Sequence, residues 1–224
     1  MARIRAAVFD AYGTLLDIHA AMAAHAARLG PDWRCISQDW RAKQMEYTWV
    51  RSLAGPAHHV PFFALTREAL AVVAETHGIT DRALLADVLA AYRTLSAYPE
   101  VAPTLQALRA PGIARAILSN GEPDMLADAV RAAGIETLLD DVLSVEAAGV
   151  YKPAPAVYRL ATDRLGLEPA EIAFLSSNPW DAFGARAFGM RVFWVNRGGG
   201  PDEYGLRGAV AELRDLGGLL PALA

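Results

Sequence analysis

Five short apolar runs punctuate the chain, and each one ends in a polar or turn-forming residue. The first run ends at Phe9 and is followed by Asp10, Gly13 and Thr14. Apolar runs of this length, bounded by turn residues, are typical of buried strands. The other four runs lie in residues 113–120, 141–145, 171–177 and 191–196. The pattern therefore predicts five buried strands.

Between these runs the apolar residues recur at helical spacing. Such stretches cover residues 123–133, 153–165 and 181–188, and the first two begin next to a proline, as helices often do. Strands that alternate with helices from residue 100 onward indicate a parallel sheet that is covered on both faces. We predict an α/β fold whose core is a Rossmann-like, doubly wound parallel sheet.

From residue 18 to about residue 98 the pattern changes to one helix after another. The clearest helical stretches are residues 39–53, 62–76 and 81–94. The last of them begins at Asp81, which is a suitable N-terminal cap. We therefore predict a helical cap domain at residues 18–98, inserted after the first strand. The core domain would then consist of residues 1–17 and 99–224.

Composition and charge exclude several classes of protein. The 224 residues are 54% hydrophobic, as in a globular protein with a substantial core, and the single cysteine, Cys35, excludes an intrachain disulfide. The net charge of −4 gives no basic field that would attract nucleic acid or an anionic membrane. No apolar run is long enough to span a bilayer, and the N-terminus lacks a secretory signal pattern. We expect a cytoplasmic protein that binds neither nucleic acid nor membrane.

Polar residues follow the predicted strands at the points where those strands end. In an open parallel sheet, ligands bind outside the carboxyl ends of the strands, so we expect these side chains to converge. The residues concerned are Asp10, Tyr12, Thr14, Ser119, Asn120, Lys152, Ser176, Ser177, Asn178 and Asp181.

Four segments that carry these residues resemble the four motifs of the haloacid dehalogenase superfamily. They are DAYGT (10–14), LSNG (118–121), YKP (151–153) and SSNPWDAFGA (176–185). Within the helical block, WRAKQMEYTWVRSL (40–53) resembles the helix that carries the halide-binding arginine in the L-2-haloacid dehalogenase branch. The resemblance covers the whole chain. It implies the hydrolysis of small (S)-2-haloalkanoic acids to (R)-2-hydroxy acids.

The residue two places after Asp10 distinguishes this chain from the phosphatases that dominate the superfamily. Their first motif resembles D-x-D, whereas Tyr12 stands at the second position here. Tyrosine, with a pKa of about 10, is a poor substitute for an acid that protonates a leaving alkoxide, and a poor ligand for magnesium. The fourth motif offers only Asp181 as a further carboxylate. We expect neither a metal ion nor an organic cofactor.

Halide displacement requires groups that this sequence contains. The Asp10 carboxylate can attack the halogen-bearing carbon in line and form an ester, and the departing halide needs no proton. The substrate carboxylate would be held by Ser119 and by backbone N–H groups of the loop that begins at Ala11. The resemblance assigns the halide to three side chains, those of Arg41, Asn120 and Trp180.

Three further residues are expected to hold the nucleophile or to line its pocket. Thr14 would bind one oxygen of Asp10 and so aim the other, and Lys152 would keep Asp10 ionised at neutral pH. Tyr158 lies six residues beyond Lys152, and the family that this chain resembles also uses a tyrosine there.

The ester must then be hydrolysed by water that attacks the side-chain carbonyl of Asp10. Asp181 is the candidate for activating that water, a task worth about 10²- to 10⁴-fold in rate. Ser176 and Asn178 would position Asp181, Lys152 or the water, and the sequence leaves this division of roles open.

The expected ligands are a small 2-haloacid and the halide ion that it releases. An apolar wall around the substrate would be formed by Tyr12, Met45, Phe62 and Trp180. The resemblance also implies a homodimer that packs through the cap helices.

Three other functions compete with this interpretation. A hydrolase with the same machinery could act on another electrophilic carbon, such as a strained ring or a fluorinated acid. A magnesium-dependent phosphatase is disfavoured by Tyr12. A binding protein could keep the fold without turnover, although Asp10, Arg41, Lys152 and Asp181 are all present.

Overall fold

Six parallel strands form a single sheet in the computed structural model, which describes residues 2–223. The strands are β1 (Ala6–Phe9), β2 (Ala114–Ser119), β3 (Asp141–Ser144), β4 (Ile172–Ser176), β5 (Arg191–Val195) and β6 (Ala211–Leu213). Their order across the sheet is β3-β2-β1-β4-β5-β6. This is the doubly wound arrangement, so the predicted fold class is confirmed.

Strand β1 lies at the centre of the sheet and is completely buried. Its Val8 pairs in register with Ala116 of β2 on one side and Phe174 of β4 on the other. The winding of the chain reverses between β1 and β4, and such a reversal opens a crevice beyond the carboxyl ends of the two strands. The residues that follow Phe9 and Ser176 therefore lie at the crevice where a ligand would bind.

All five predicted strands are present, but β6 was not predicted. It has three residues and pairs with β5, for example Val195 with Leu213. Ala211 and Glu212 are exposed at the edge of the sheet. An edge strand that buries one residue produces no apolar run, which is why the sequence pattern does not reveal it.

Ten α-helices accompany the strands within residues 2–223. They are α1 (Ala20–Ala23), α2 (Ala26–Leu29), α3 (Trp33–Ala54), α4 (Phe62–Thr76), α5 (Arg82–Arg93), α6 (Val101–Ala107), α7 (Pro123–Ala132), α8 (Pro155–Leu165), α9 (Pro179–Phe188) and α10 (Leu219–Leu223). Short 3₁₀ helices lie at Pro56–His58, Glu136–Leu138, Val145–Ala147, Pro169–Glu171 and Leu216–Gly218.

Helices α1 to α5 form the block that follows β1, as the sequence pattern indicates. Asp81 caps α5 by accepting the backbone N–H of Leu84 at 3.0 Å, in agreement with the prediction. Helix α3 begins at Trp33, six residues before the predicted start at 39. Its first two turns expose most of their side chains, so they add little to the apolar pattern that marks a helix.

The chain leaves the core and returns to it at nearly the same place. The N–H of Asp17 donates to the carbonyl of Ser96 at 2.9 Å, and the N–H of Tyr98 donates to the carbonyl of Leu15 at 3.0 Å. These two hydrogen bonds join the segment that precedes the helical block to the segment that follows it. The division into domains at residues 17/18 and 98/99 stays a prediction.

Side chains on two faces fix the helical block against the core. Arg93 at the end of α5 reaches Asp128 at 2.6 Å and Asp124 at 3.1 Å, both on α7. In the last turn of α3, the Ser52 hydroxyl accepts the backbone N–H of Tyr151 at 3.1 Å. The block is therefore held over the carboxyl ends of the strands. Within residues 2–223, no helix combines the length and apolar character that crossing a bilayer requires.

Helix α9 approaches α8 so closely at Gly184 that a methyl group there has no room. A Cβ atom at this position would lie 2.6 Å from Cβ of Pro153 and would also collide with the hydroxyl of Tyr158. We expect Gly184→Ala to lower the free energy of unfolding by about 1–3 kcal/mol through overpacking, as measured by urea denaturation.

Gly198→Ala is the matched control for this substitution. No atom lies within 4 Å of the Cβ that it would add. Its effect on the free energy of unfolding should stay within about 0.5 kcal/mol. Equal effects of the two substitutions would show that the close contact at Gly184 does not limit the packing of α9.

Candidate active site

The ammonium group of Lys152 lies between two carboxylates at the crevice beyond β1 and β4. Its Nζ is 3.2 Å from Oδ1 of Asp10 and 2.9 Å from Oδ2 of Asp181. Lys152 and Asp181 are completely buried, and Asp10 is nearly so. The three residues come from separate loops, and the parallel sheet brings them together as the sequence predicted.

The two oxygens of Asp10 have different surroundings. Oδ2 accepts the Thr14 hydroxyl at 2.9 Å and the side-chain N–H of Asn178 at 2.8 Å. Oδ1 accepts only the ammonium of Lys152 among the described residues. Oδ1 therefore keeps lone pairs available for attack on a carbon atom, while Oδ2 is held in place.

Thr14 is oriented by the loop on the other side of the crevice. Its hydroxyl oxygen accepts the backbone N–H of Ser177 at 2.8 Å, which leaves the hydroxyl hydrogen directed at Asp10. Gly13 permits the tight turn between Asp10 and Thr14 because its φ of +91° is accessible to glycine and strained for other residues. The local backbone thus fixes the direction of the nucleophile.

Asp181 lies in the first turn of α9 and is enclosed by polar partners. Its Oδ1 accepts the hydroxyl of Tyr158 at 2.8 Å, opposite the contact with Lys152. Burial raises the pKa of Asp181, the positive charge of Lys152 opposes this effect, and the negative charge of Asp10 adds to it. Burial and the charge of Asp181 also raise the pKa of Tyr158 far above its ordinary value, so the phenol stays a neutral donor.

The loop after β4 positions Asn178 more directly than it positions Asp181. The Ser176 hydroxyl accepts the backbone N–H of Asn178 at 3.1 Å, and within residues 2–223 it makes no hydrogen bond to Asp181 or Lys152. Asn178 then donates to Asp10 with its amide. Of the two residues that the sequence leaves without a defined partner, Ser176 shapes the loop and Asn178 contacts the nucleophile.

Arg41 extends from α3 toward the loop that follows Asp10. Its Nη2 donates to the carbonyl of Tyr12 and to the side-chain oxygen of Asn178, both at 3.4 Å. Its Nη1 is buried and has no hydrogen-bond partner in the part of the chain that the structure describes. A buried cationic donor without a partner is costly, so an anion is the expected ligand at this position.

Two residues after β2 complete the polar side of the crevice. The Asn120 side-chain oxygen accepts the N–H of Lys152 at 3.1 Å, so the amide is turned with its N–H₂ group away from that loop. The Ser119 hydroxyl accepts the N–H of Gly121 at 3.1 Å and retains its own hydrogen for donation. Both side chains are buried and can still donate to an anion.

Apolar side chains form the remaining walls. Tyr12 stacks on Tyr92 with ring centroids 5.5 Å apart and also contacts Phe62 at 5.9 Å. Met45 and Trp180 line a cavity of about 380 Å³ together with Arg41 and Asn178. Phe62 lies behind Tyr12 and does not line this cavity. Tyr12 and Asp10 do not line it either, and the cavity reaches the nucleophile only through Asn178, which donates to Asp10. We call it the entrance cavity.

A family model for haloacid dehalogenase-like hydrolases matches residues 4–189. The chain belongs to this family. The match includes all the residues described above, from Asp10 to Asp181. The resemblance found in the sequence motifs is thereby confirmed.

Curated and solved members of the haloacid dehalogenase-like family are similar to this chain over nearly its whole length. The (S)-2-haloacid dehalogenase 4A of Burkholderia cepacia is 43% identical, over 99% of this chain and 95% of the relative. The (S)-2-haloacid dehalogenase 1 of Pseudomonas sp. (strain CBS-3) is 46% identical, over 90% and 88%. The structure of L-2-haloacid dehalogenase from Xanthobacter autotrophicus with chloropropionic acid covalently bound has a TM-score of 0.85. It is 36% identical, with 98% of each chain covered.

The structure of the present chain also reveals site residues that its sequence did not single out. Trp49, His19 and Gln38 line the entrance cavity beside Arg41. Trp49 could have been found, because Arg41, Met45 and Trp49 are spaced by four residues and therefore share one face of α3. Gln38 lies three residues before Arg41 in α3 and shares the same face, whereas His19 carried no such signal.

The side chains present at the site do not form a metal centre. Among residues 2–223, no group of three or more His, Cys, Asp or Glu side chains is arranged to hold a metal ion. Lys152 supplies the positive charge between Asp10 and Asp181. Burial raises the pKa of Tyr12 well above its ordinary value, so its oxygen stays protonated at neutral pH and is a poor ligand for a cation.

Lys152→Met should destabilise the protein by about 3–5 kcal/mol at pH 7, because it leaves two carboxylates buried without a counter-charge. The pKa of Asp181 is already raised and would rise further. The destabilisation caused by a raised carboxyl pKa is complete above that pKa and is removed as pH falls through it toward the ordinary carboxyl value. Unfolding in urea should therefore show a loss that shrinks as pH falls from 7 toward 5.

Lys43→Met is the control, since Lys43 pairs with Glu46 at 2.7 Å on the exposed face of α3. Its cost should be no more than about 0.5 kcal/mol and should not depend on pH in this way. A loss for Lys152→Met that is small and constant with pH would contradict the proposed charge balance.

Proposed function

We propose that this protein hydrolyses small (S)-2-haloalkanoic acids to (R)-2-hydroxy acids through an ester of Asp10. The observation that carries the proposal is the asymmetric environment of the Asp10 carboxylate, with Oδ2 held by Thr14 and Asn178 and Oδ1 open to attack a carbon atom. The named activity of relatives at 43% and 46% identity supports it. So does the covalently bound chloropropionic acid of the Xanthobacter autotrophicus structure.

In the first step, Oδ1 of Asp10 attacks C2 of the substrate along the line of the carbon–halogen bond. A carbon–oxygen bond forms as the carbon–halogen bond breaks, and the electron pair of that bond leaves with the halide. The halide is the conjugate base of a strong acid, so no proton donor is needed. Arg41 provides a charged donor for it, with Nη1 unpaired within residues 2–223. We assign the rest of the halide site to Asn120 and Trp180.

The carboxylate of the substrate is assigned to the opposite side of the crevice. The Ser119 hydroxyl retains a hydrogen to donate. The backbone N–H groups of Ala11 and Tyr12 have no backbone acceptor within residues 2–223. Consecutive N–H groups of this kind form a concave anion site. One set of donors would bind the substrate carboxylate and the other the departing halide. Together they would orient C2 toward Asp10.

In the second step, water attacks Cγ of the Asp10 ester, the bond between Cγ and Oδ1 breaks, and the 2-hydroxy acid leaves with Oδ1 as its hydroxyl oxygen. Asp181 accepts one proton of the attacking water and returns it to the leaving Oδ1, and its contacts with Lys152 and Tyr158 hold it in place. Thr14 and Asn178 remain bonded to Oδ2 and stabilise the negative charge that develops there. Only the first step is a displacement at C2, because the second step breaks no bond to that carbon. The configuration at C2 is therefore inverted.

Phosphate ester hydrolysis is not proposed for this site. It would need an acid two residues after the nucleophile, and the side chain there is the buried ring of Tyr12, stacked on Tyr92. The pKa of Tyr12 is raised above its ordinary value, which makes proton donation to a leaving group harder still.

We also propose that the protein is a homodimer that packs through its cap helices. Val50 and Leu53 on α3 and Val72 on α4 are exposed large apolar side chains of the helical block, and an interface would cover them. A cytoplasmic location remains a prediction from the sequence.

Chloride release from separate L- and D-2-chloropropionate, in the presence of EDTA, tests the proposed reaction. We expect release from the L-isomer alone, with D-lactate as the product, and no release by Asp10→Asn. Chloride release that is abolished by EDTA would indicate a metal-dependent reaction and contradict the proposed mechanism. Failure to release chloride from either isomer would refute the proposed substrate class.

Isotopic labelling tests the role of Asp10 as the nucleophile. In a single turnover in H₂¹⁸O with enzyme in excess, the label should enter the Asp10 side chain, detected by mass spectrometry of the peptide that contains it. The product of that turnover should carry oxygen from the enzyme. Label found only in the product would instead indicate direct attack by water on the substrate.

A further inference from the structure

Two tryptophan rings, one from the helical block and one from the core, meet at the side of the entrance cavity. Trp49 of α3 and Trp180 of α9 have ring centroids 5.7 Å apart, with their planes inclined at 80°. This edge-to-face arrangement is favourable for aromatic pairs. We call these two rings the Trp49–Trp180 pair.

The Trp49–Trp180 pair separates the entrance cavity from a second cavity. Both rings line both cavities. The second cavity has a volume of about 520 Å³, and we call it the rear cavity. Its lining is mainly apolar and includes Val150, Pro153 and Ala154 together with Leu53 and Phe183, which are exposed to solvent. Lys152 of the active site also lines it. A mainly apolar space of this size thus lies on the other side of the Trp49–Trp180 pair from the entrance cavity.

The position of this wall matters because of how the substrate would be oriented. The inference rests on the proposed function, in which Ser119 binds the carboxylate of a 2-haloacid and Arg41 binds the departing halide. The third substituent of C2 is the alkyl group, and it must point toward an apolar part of the cavity. The apolar side chains lining the entrance cavity include Met45, Trp49 and Trp180. An alkyl chain that grows in this direction meets the Trp49–Trp180 pair.

We propose that Trp49 sets the upper limit on the alkyl chain of the substrate, and that the rear cavity is a subsite for longer chains when this ring is reduced. Within residues 2–223 the Trp49 side chain makes no hydrogen bond to Asp10, Lys152 or Asp181, and its aromatic partner is Trp180. Its effect would therefore be on which substrates are accepted and not on the chemistry of the reaction.

The indole N–H of Trp49 makes no hydrogen bond within residues 2–223, so the contribution of this side chain depends on the size of its ring. This nitrogen is buried and has no acceptor in the described part of the chain. An unpaired buried donor contributes nothing favourable to folding, so a smaller apolar ring should be tolerated at this position. Trp49→Phe and Trp49→Leu should accordingly fold, even if Trp49→Ala leaves too large a gap.

The test compares kcat/KM for (S)-2-bromopropionate and (S)-2-bromooctanoate in the wild-type protein and in the three variants at position 49. We expect the ratio of octanoate to propionate to rise by at least about tenfold in Trp49→Ala or Trp49→Leu, with a smaller rise in Trp49→Phe. An equal loss on both substrates would show that Trp49 only supports the fold or positions Trp180. An unchanged ratio would also overturn the proposal.

Trp33→Ala is the matched control, because Trp33 is a half-buried tryptophan of the same helix that lines neither cavity. Its ratio of the two rates should equal that of the wild-type protein. A rise in this control similar to that of the variants at position 49 would mean that loosening α3 in general broadens the substrate range, and would refute the specific role of Trp49.

The outcome for wild-type protein on 2-bromopropionate separates this inference from the proposed function. If the wild-type protein releases bromide and the variants keep its chain-length preference, the inference alone fails. If the wild-type protein releases none, the proposed function fails, and binding decides the inference. In an Asp10→Asn background, Trp49→Leu should then raise the affinity for 2-bromooctanoate relative to 2-bromopropionate in calorimetry, and an unchanged ratio of affinities would refute it.

Discussion

The site depends on one buried positive charge that two buried negative charges share. Lys152 is completely enclosed, and its ammonium lies within 3.2 Å of Asp10 and 2.9 Å of Asp181. Removing any member of such a group leaves an uncompensated charge in the interior, so the three residues constrain one another. The backbone N–H of Lys152 also donates to Asn120. The charge balance therefore joins the loops that follow β1, β2, β3 and β4, and it fixes the shape of the crevice.

The substrate would meet two surfaces of different origin. The first surface is polar and is formed by the loops that follow the buried strands of the sheet. These short loops set the direction of each hydrogen-bond donor. The helical block provides one face of α3, on which Arg41, Met45 and Trp49 lie in successive turns. A charged donor and an apolar wall thus come from a single helix. Small changes in the position of that helix would alter the halide site and the space for the alkyl group together.

The sequence predicts the parts of this structure that depend on burial. The apolar runs before Asp10 and before Ser176 identify strands, and the order of strands and helices identifies the sheet, because a doubly buried strand must be apolar throughout. Strand β6 and the start of α3 were missed because they expose most of their side chains. For the site, the sequence identifies which polar residues converge. It does not reveal that the Ser176 hydroxyl is bonded within its own loop, or that His19 faces the entrance cavity, since both depend on side-chain directions.

The hydrogen bonds that join Leu15 and Asp17 to Tyr98 and Ser96 affect how this architecture can change. They hold the two ends of the helical segment of some eighty residues next to each other, so the chain is closed at this point whatever lies between them. Lengthening a segment whose ends are already adjacent costs little, because the entropy of closing a loop grows only with the logarithm of its length. Helices between residues 18 and 98 can therefore be extended, shortened or exchanged while the sheet keeps its register and the nucleophile its position. Substrate preference can therefore change through this segment as long as Arg41 of α3 keeps its place beside Asn178.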